Sequence, residues 1–317
     1  MISKWGREIV LLITIVGLGV IAQTVNPNFV SFRNISSILG NTSVMVLVVI
    51  GESLVIINGF GNADLSVGSI YTISAVTSAQ LAFIGTPMFL VVLWSIGVGL
   101  ALGALNGFIT AKFSIPSLIT TLGTMIGLEG FILWWTNGMW IENLPNAWQI
   151  SNYQVGGLSL AIWIGFGASI LMIFLVRNMP LFRKFYACGT NAEAAVFAGI
   201  NVNKTIFYAL LLSGMFSGFS GFLSASRFFV ISSNIGSDLV LPVIAAAIIG
   251  GTSILGGRGK MEGNILGALL LTEIASVTIF LGIPATWSEA IEGLIILIAI
   301  ISDVLRENRR KRGVLKV

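Results

Sequence analysis

Three acidic residues, Glu52, Glu129 and Glu273, lie inside long apolar stretches of the chain. A charged side chain at the centre of a bilayer costs on the order of 3 kcal/mol on insertion scales, and such residues usually face a cavity or a partner. We expect each of the three to line a solute pathway, or else to be protonated or paired between helices. The sequence leaves both interpretations open.

A second polar feature interrupts two apolar runs at residues 59–69, where turn-forming residues surround Asn62, Asp64 and Ser66. Asn62 or Asp64 is expected to cap the helix that follows. Transporters place such helix breaks where a cavity or the protein interior satisfies the exposed backbone groups. We therefore expect Asn62, Asp64 and Ser66 to line a pathway, although a plain turn with a good cap fits the spacing equally well.

Several chemistries lack their usual residues in this chain. There is no histidine, and Cys188 is the one cysteine, so imidazole catalysis, proton relay through histidine and an internal disulfide are excluded. The glycine-rich stretch 250–260 departs from a phosphate-binding loop, because Lys260 is followed by Met261 rather than by Ser or Thr. We expect a hairpin between two helices there, no cofactor on this chain and no enzymatic activity of its own.

Composition indicates that lipid is the solvent of this protein. Of its 317 residues, 56% are hydrophobic and only 9% are charged, which is too little polar surface for a soluble globule. A helix needs about 20 apolar residues to cross a bilayer, and ten stretches come near that length. They cover residues 9–25, 38–57, 69–83, 88–110, 117–135, 158–176, 206–226, 239–255, 265–281 and 287–301.

The fold class predicted is an all-α, polytopic membrane protein with a single transmembrane domain over residues 1–317. The first stretch is interpreted as a membrane helix rather than a cleaved signal peptide, because it exceeds the usual length of a signal core. If the N-terminus is cytoplasmic, all 17 Lys and Arg residues except Arg33 and Arg227 fall on the inner side. Both termini are therefore predicted to be cytoplasmic, with a basic tail at residues 303–317. The net charge of +4 is explained by these cytoplasmic Lys and Arg residues, so no nucleic-acid partner is expected.

Two connections are longer than the others. Residues 138–157 form a polar outer loop, in which Trp140, Trp148 and Tyr153 suit the aromatic belt of a membrane interface. Residues 177–204 form the longest inner loop, and its part 191–200 mixes strong helix formers with a terminal glycine. A short cytoplasmic helix is expected there.

Glycines recur at four-residue spacing along three of the apolar stretches. Such spacing places small residues on one helix face, where they allow close packing of helix backbones. The series are Gly99, Gly103 and Gly107; Gly214 and Gly218; and Gly263 and Gly267.

Four motifs, in order along nearly the whole chain, resemble the membrane subunit of ribose-type simple-sugar ABC importers, whose relatives include permeases for other pentoses, hexoses and the autoinducer-2 signal. The motifs are Asp64-Leu-Ser-Val-Gly-Ser69; Thr121-Leu-Gly-Thr-Met125 with Gly130; residues 191–203; and Ile244-Ala-Ala-Ala-Ile-Ile-Gly-Gly-Thr-Ser253 with Gly256-Gly-Arg-Gly259.

This resemblance implies a permease in the bacterial cytoplasmic (inner) membrane that works with three kinds of partner. These are a second permease copy or paralogue, ABC ATPase subunits that bind ATP and Mg, and an extracytoplasmic sugar-binding protein. It also implies that the loop 177–204 carries the helix that couples to the ATPase. The coupling residues would be Asn191, Glu193, Ala194, Ala195, Ala198, Gly199 and Ile200.

Two other functions stay open at this stage. One is a related ABC permease for nucleosides or branched-chain amino acids. The other is a secondary transporter, in which Glu52, Glu129 or Glu273 would couple proton flow to solute movement.

Overall fold

The computed structural model of the chain describes residues 6–59 and 62–284, together with residues 287, 290, 291, 293, 294, 297, 298 and 301. The helices, numbered in chain order, are α1 (Gly6–Val25), α2 (Phe32–Ile57), α3 (Val67–Phe83), α4 (Met88–Phe113), α5 (Ser117–Thr136), α6 (Leu160–Asn178), α7 (Pro180–Thr190), α8 (Ala192–Phe197), α9 (Val202–Ala225), α10 (Val240–Gly250) and α11 (Met261–Phe280). Between α5 and α6 lie a 3-10 helix at Asn146–Asn152 and a two-stranded antiparallel hairpin, β1 (Gln154–Val155) and β2 (Leu158–Ser159).

The apolar stretches of the sequence correspond closely to helices. Each of the first nine predicted spans coincides with a helix. The last one, 287–301, is described only in part, and the tail 303–317 falls wholly outside the described residues. Within the described residues, 7 helices are long and apolar enough to cross a membrane, namely α1, α2, α4, α5, α6, α9 and α11. Helices α3 and α10 are apolar but shorter. The chain is thus a predominantly helical, multi-pass membrane protein.

Helix α2 forms the centre of the bundle. Nearly all of its residues from position 42 to 57 are buried, on every side of the helix, as expected for a helix that is hydrophobic all round. It packs against α9, α6, α11 and α10. Helices α1, α4, α5 and α6 lie at the periphery and expose apolar side chains such as Val16, Trp94, Trp134 and Phe174, which suits a surface in contact with lipid.

The prediction that the spaced glycines allow close helix packing is confirmed. A Cβ atom at Gly99 would lie 2.2 Å from the carbonyl oxygen of Gly214, and one at Gly218 would lie 2.5 Å from that of Ser95, so α4 and α9 meet backbone to backbone. A Cβ at Gly263 would likewise lie 1.9 Å from the carbonyl oxygen of Gly250, between α11 and α10. Any larger residue at these positions would force the helices apart.

The connection between α5 and α6 differs from its prediction at one aromatic residue. Trp140 and Tyr153 are exposed, as a membrane-interface position requires, but Trp148 is 0% exposed. Its indole Nε1 donates a hydrogen bond of 3.1 Å to the carbonyl oxygen of Phe228, and its ring packs edge to face on Phe222. The expectation that Trp148 belongs to an interfacial belt is therefore wrong, because this side chain joins the α5–α6 connection to the end of α9.

Candidate functional site

The chain between α2 and α3 turns inside the bundle, and its polar side chains are buried. Asn62, Asp64 and Ser66 are all buried, and Asp64 and Ser66 are fully enclosed. Helix α3 begins at Val67 after Ser66, whose side chain makes no capping hydrogen bond. The expectation that Asn62 or Asp64 caps this helix is wrong, since the Asp64 Oδ1 atom accepts from the N–H of Ser66 at 3.0 Å, in a turn that precedes the helix.

Both carboxylate oxygens of Asp64 are occupied by protein donors. Oδ1 accepts from the Ser66 hydroxyl at 2.5 Å, and Oδ2 accepts from the Ser213 hydroxyl of α9 at 2.7 Å. The backbone N–H of Asp64 in turn donates to both oxygens of the Glu52 carboxyl, each at 3.2 Å. Glu52, on α2, is itself fully buried. The two acidic residues thus tie the break to α2 on one side and to α9 on the other.

The same break is held on its other side by α4 and α5. The Asn62 Oδ1 atom accepts from the Ser117 hydroxyl at 2.8 Å. The Ser66 hydroxyl accepts from the side-chain Nδ2 of Asn106 at 2.8 Å. The Asn106 Oδ1 atom accepts from the Thr124 hydroxyl at 2.6 Å. We call the hydrogen-bonded set Glu52, Asn62, Asp64, Ser66, Asn106, Ser117, Thr124 and Ser213 the break network.

Four members of the break network were not among the predicted site residues, namely Asn106, Ser117, Thr124 and Ser213. Asn106 offered a signal, because an amide inside an apolar span needs an internal partner. The serines and threonines offered little, since hydroxyls in a membrane helix commonly bond to their own backbone. In the conformation seen here, the network gives the buried side chains of Asn62, Asp64 and Ser66 hydrogen-bond partners and so keeps the shape of this part of the break.

The other two predicted pathway acids lie elsewhere. Glu273, on α11, is buried beside α1, where a Cβ atom at Gly19 would come within 3.2 Å of its Oε1 atom. Its Oε2 atom has no hydrogen-bond partner among the described residues. Glu129 lies half-buried on α5. The structure therefore brings Glu52, Asn62, Asp64 and Ser66 together, and it places Glu129 and Glu273 outside the break network.

The loop 177–204 folds into two helices rather than the single short one that was expected. The first, α7, is amphipathic and buries Phe182, Phe185 and Cys188. The second, α8, is capped by Asn191, whose Oδ1 atom accepts from the N–H of Ala194 at 3.0 Å. Gly199 ends the helical segment in the left-handed region, at φ 79°, as the glycine stop predicted.

The residues implied as ATPase contacts divide into two groups on α8. Glu193, Ala194 and Ala198 are exposed, but Ala195 is only 4% exposed and faces the protein. Ala195 therefore packs inside the protein in this conformation, and Gly199 lies beyond the end of the helix rather than on a shared face. Phe197, which was not among the predicted contacts, is 91% exposed and lies next to the exposed Val196.

Three backbone segments meet just beside α8. A Cβ atom at Gly189, near the end of α7, would lie 1.9 Å from the carbonyl oxygen of Ile57 and 2.4 Å from the nitrogen of Gly257. The Gly257 N–H donates to that same Ile57 carbonyl at 2.8 Å. The end of α2, the end of α7 and the hairpin between α10 and α11 are thereby in direct contact, and these segments lead into the break and into α8.

A tyrosine reinforces this meeting point. The Tyr186 hydroxyl of α7 donates a hydrogen bond of 2.9 Å to the carbonyl oxygen of Gly259 in the α10–α11 hairpin. Burial, followed by the nearby charge of Glu262, raises the pKa of Tyr186 to about 12, so the hydroxyl stays protonated and available as a donor.

Comparison with known proteins shows which family this arrangement belongs to. Residues 34–300 match the family described as the permease component of branched-chain amino acid transport systems. The chain is similar to the autoinducer 2 import system permease protein LsrC of Enterobacter sp. (strain 638), at 32% identity over 305 residues that cover 94% of this chain and 86% of that protein. It is similar to the LsrC proteins of Escherichia coli O9:H4 (strain HS), at 33% identity with 94% and 86% covered, and of Salmonella typhi, at 32% identity with 96% and 89% covered. No solved structure matches the chain significantly. The resemblance that the four sequence motifs indicated is confirmed.

Proposed function

Because the chain belongs to the family of permease components of branched-chain amino acid transport systems, we propose that it forms the translocation pathway of an ATP-driven importer for a small sugar-like solute. The solute class is a pentose, a hexose or a molecule similar to autoinducer 2. A separate ATPase supplies the energy, so this chain is a transport subunit and not an enzyme.

The observation that carries this proposal is the extent of the similarity to autoinducer 2 import permeases. It runs over 94% of this chain at 32% identity, and it includes the segment of the break and the loop that carries α8. A likeness confined to the lipid-facing helices would reflect apolar composition alone. A likeness that extends through polar loops supports a shared mechanism.

The membrane arrangement is proposed from the distribution of charge. Ten helices with both termini in the cytoplasm place all 17 Lys and Arg residues except Arg33 and Arg227 on the inner side. In this arrangement α7, α8 and the α10–α11 hairpin face the cytoplasm, and the β1–β2 hairpin faces outward. The membrane is the bacterial cytoplasmic (inner) membrane, because the similar permeases come from bacteria.

Three partners follow from an importer of this kind. ABC ATPase subunits, which bind ATP and Mg, dock on the cytoplasmic α8, where the exposed Phe197 offers an apolar anchor. A second permease copy or a paralogue completes the pathway, and an extracytoplasmic sugar-binding protein delivers the solute. No cofactor is assigned to this chain.

The break network is proposed to lie on the solute pathway. In the conformation described here the Asp64 carboxylate is fully enclosed, so the pathway is closed at this point. ATPase closure on α8 would move α7, and the contact of Gly189 with Ile57 would pass that movement to the break. Opening would expose hydroxyl, amide and carboxylate groups that can form weak hydrogen bonds with the hydroxyls of a sugar. Glu129 and Glu273 keep their proposed pathway role, at positions outside the network.

Two other functions share part of this support. A permease for branched-chain amino acids fits the description of the family, and a permease for nucleosides is the related alternative that the sequence left open. A proton-coupled secondary transporter would use the buried Glu52 or Glu273, but it would have no need of a protruding Phe197.

Uptake by reconstituted vesicles tests the proposal. Vesicles that contain this chain, its cognate ATPase and its binding protein should accumulate labelled ribose or autoinducer 2 when ATP is present inside, and a protonophore should leave uptake intact. Uptake of leucine or a nucleoside instead would redirect the substrate class. Uptake driven by a proton gradient without ATP would overturn the importer.

A further inference from the structure

A cavity with an apolar lining and several polar side chains lies at the end of α2 that is remote from the break. Its volume is about 450 Å³, and Asn41 in its wall is separated from Ile57 by roughly 24 Å along α2, at 1.5 Å per residue. Helices α2, α9 and α11 form most of the wall. Its polar lining includes Asn34, Asn41, Ser224, Arg227, Thr272 and Ser276.

Arg227 supplies positive charge to this cavity. The side chain is half-buried, and its Nη1 atom donates to the Asn41 Oδ1 atom at 2.8 Å. No carboxylate lies within ion-pair distance of the guanidinium in the described part of the chain. Burial lowers the pKa of Arg227, because the charge loses hydration without gaining a counter-ion.

The guanidinium of Arg227 does not lie where it would interact with the C-terminal carbonyl groups of α9. A cation just after the C-terminus of α9, which ends at Ala225, could interact with the last carbonyl groups of that helix. Instead the side chain crosses to α2 and lies over Gly40, where a Cβ atom would come within 3.1 Å of the Arg227 Nη2 atom. Glycine at that position keeps room for the guanidinium at the cavity wall.

The charge pattern of the sequence makes Arg227 unusual in a second way. Of the 17 Lys and Arg residues, it is one of the two that the positive-inside arrangement leaves on the outer side. The other, Arg33, is exposed on the first turn of α2 and does not line the cavity. Membrane orientation thus gives no reason for a cation at position 227.

The opposite wall is fixed and suited to hydrogen bonding. The Ser276 hydroxyl of α11 donates to the Asn34 Oδ1 atom at 3.0 Å, and the Asn34 amide donates to the carbonyl oxygen of Phe29 at 2.8 Å. Ile279 and Phe280 add apolar surface on the same side. A cavity of this size with a few convergent polar groups is typical of small-ligand sites.

We propose that this cavity binds an oxyanion group, a carboxylate or a phosphate ester, with the Arg227 guanidinium as its anchor. Arginine pairs with both groups through two parallel hydrogen bonds, and Asn41 already holds one edge of the guanidinium in place. The group can belong to a soluble solute or to an anionic lipid headgroup. The proposal goes beyond the transport function and holds whichever solute is imported.

Charge-selective labelling of a cysteine in the cavity tests the proposal. The reporter is Ala275→Cys, because Ala275 lines the cavity and the native Cys188 is fully buried. In nanodiscs of phosphatidylcholine, an anionic methanethiosulfonate should react faster than a cationic one. The ratio of the two rates should fall by about tenfold in Arg227→Gln, because a unit charge several ångströms away is removed from a partly buried site. Arg227→Lys should keep most of the preference, and Arg33→Gln is the matched control that should leave the ratio unchanged.

Protection by an anion identifies the bound group. Inorganic phosphate, compared with chloride at equal ionic strength, should slow labelling of Ala275→Cys, and Arg227→Gln should remove that protection. Protection by phosphatidylglycerol in the nanodisc, with no further effect of phosphate, would assign the site to a lipid headgroup, whereas protection by phosphate in both membranes would assign it to a soluble solute. Equal labelling by both reagents, or no protection by either phosphate or phosphatidylglycerol, would overturn the proposal.

Discussion

Gly189 lies against Ile57 so closely that a Cβ atom on the glycine would come within 1.9 Å of the Ile57 carbonyl oxygen. This contact joins the helix that leads into α8 to the end of the central helix α2. The carbonyl itself accepts from Gly257 at 2.8 Å, so the backbone at this point is packed from two sides. A displacement of α7 at Gly189 would therefore press directly on the end of α2, which leads into the break.

Gly189→Ala should lower stability and weaken coupling together. The added methyl group cannot be accommodated without backbone displacement, and overpacking of this kind costs typically 1–3 kcal/mol. We expect a lower midpoint of thermal unfolding in detergent and a smaller stimulation of ATPase activity by the loaded binding protein. Gly17→Ala is the control, because no atom of the described structure lies within 4 Å of a Cβ there. An unchanged midpoint and unchanged stimulation in Gly189→Ala would show that the contact is not rigid.

Phe197→Asp should abolish association with the ATPase while leaving membrane insertion intact. The side chain is 91% exposed in this chain, so its replacement removes no internal packing, but it places a charge at the centre of the proposed docking surface. Phe197→Leu keeps an apolar side chain and should retain most of the binding. Co-purification of the two subunits measures the effect, and normal assembly of Phe197→Asp would exclude Phe197 as an anchor.

Ala195→Asp should act differently from Phe197→Asp, although the two residues are only two positions apart. Ala195 is buried against the protein, so an aspartate there would bury an unpaired charge and displace α8. We expect lower thermal stability of the isolated permease, whereas Phe197→Asp should leave that stability unchanged. Unaltered unfolding of Ala195→Asp would contradict the packing of α8 described here.

Asp64→Asn and Asp64→Ala should separate a pathway role from a structural one. Alanine removes the acceptors of Ser66 and Ser213 and leaves buried hydroxyls unpaired, at about 1–3 kcal/mol for each group left unsatisfied. Asparagine keeps one acceptor oxygen and can donate to Ser213, so the fold should survive. If Asp64 lies on the pathway, Asp64→Asn should retain ATPase stimulation by the binding protein but change solute flux.

Ser213→Ala is the matched control for the Asp64 variants, because it removes one partner of the carboxylate from the α9 side. A structural role alone would give Ser213→Ala and Asp64→Asn similar, small effects on flux. Near-normal flux in Asp64→Asn, with no protection of a cysteine at position 62 by trapped solute, would remove the break from the pathway.

Cysteine accessibility checks the proposed topology. A cysteine in place of the exposed Gln154 should react with an impermeant reagent in intact cells, whereas cysteines in place of Glu193 and Lys316 should react only after permeabilisation. Gln154 is preferred to the nearby Ser151, which is buried and whose hydroxyl contacts that of Ser226. The native Cys188 is buried and should give little background. The reverse pattern would invert the membrane orientation.

The positions of most helices could be predicted from the sequence alone. The thickness of the bilayer sets the length of each apolar run, so runs such as 117–135 and 265–281 marked α5 and α11 to within a few residues. Glycine spacing along α4 and α9 predicted that each has a face for close packing, for a similarly local reason, but that the two helices pack against each other came from the structure. A glycine also marked the end of the segment after α8, since the left-handed conformation at Gly199 suits a residue without a Cβ atom.

The contacts between polar and aromatic side chains could not be predicted from the sequence and are seen in the folded protein. Asp64 and Ser213 are distant in sequence, and no pattern around either residue indicates that their side chains share a hydrogen bond. The burial of Trp148 and Ala195 likewise depends on what packs over them, whereas sequence reports only their type. The count of Lys and Arg residues marked Arg227 as an exception to the positive-inside distribution. Its contact with Gly40 in the cavity wall depends on how α2 and α9 pack together. Contacts of this kind depend on long-range packing, which a local sequence pattern does not contain.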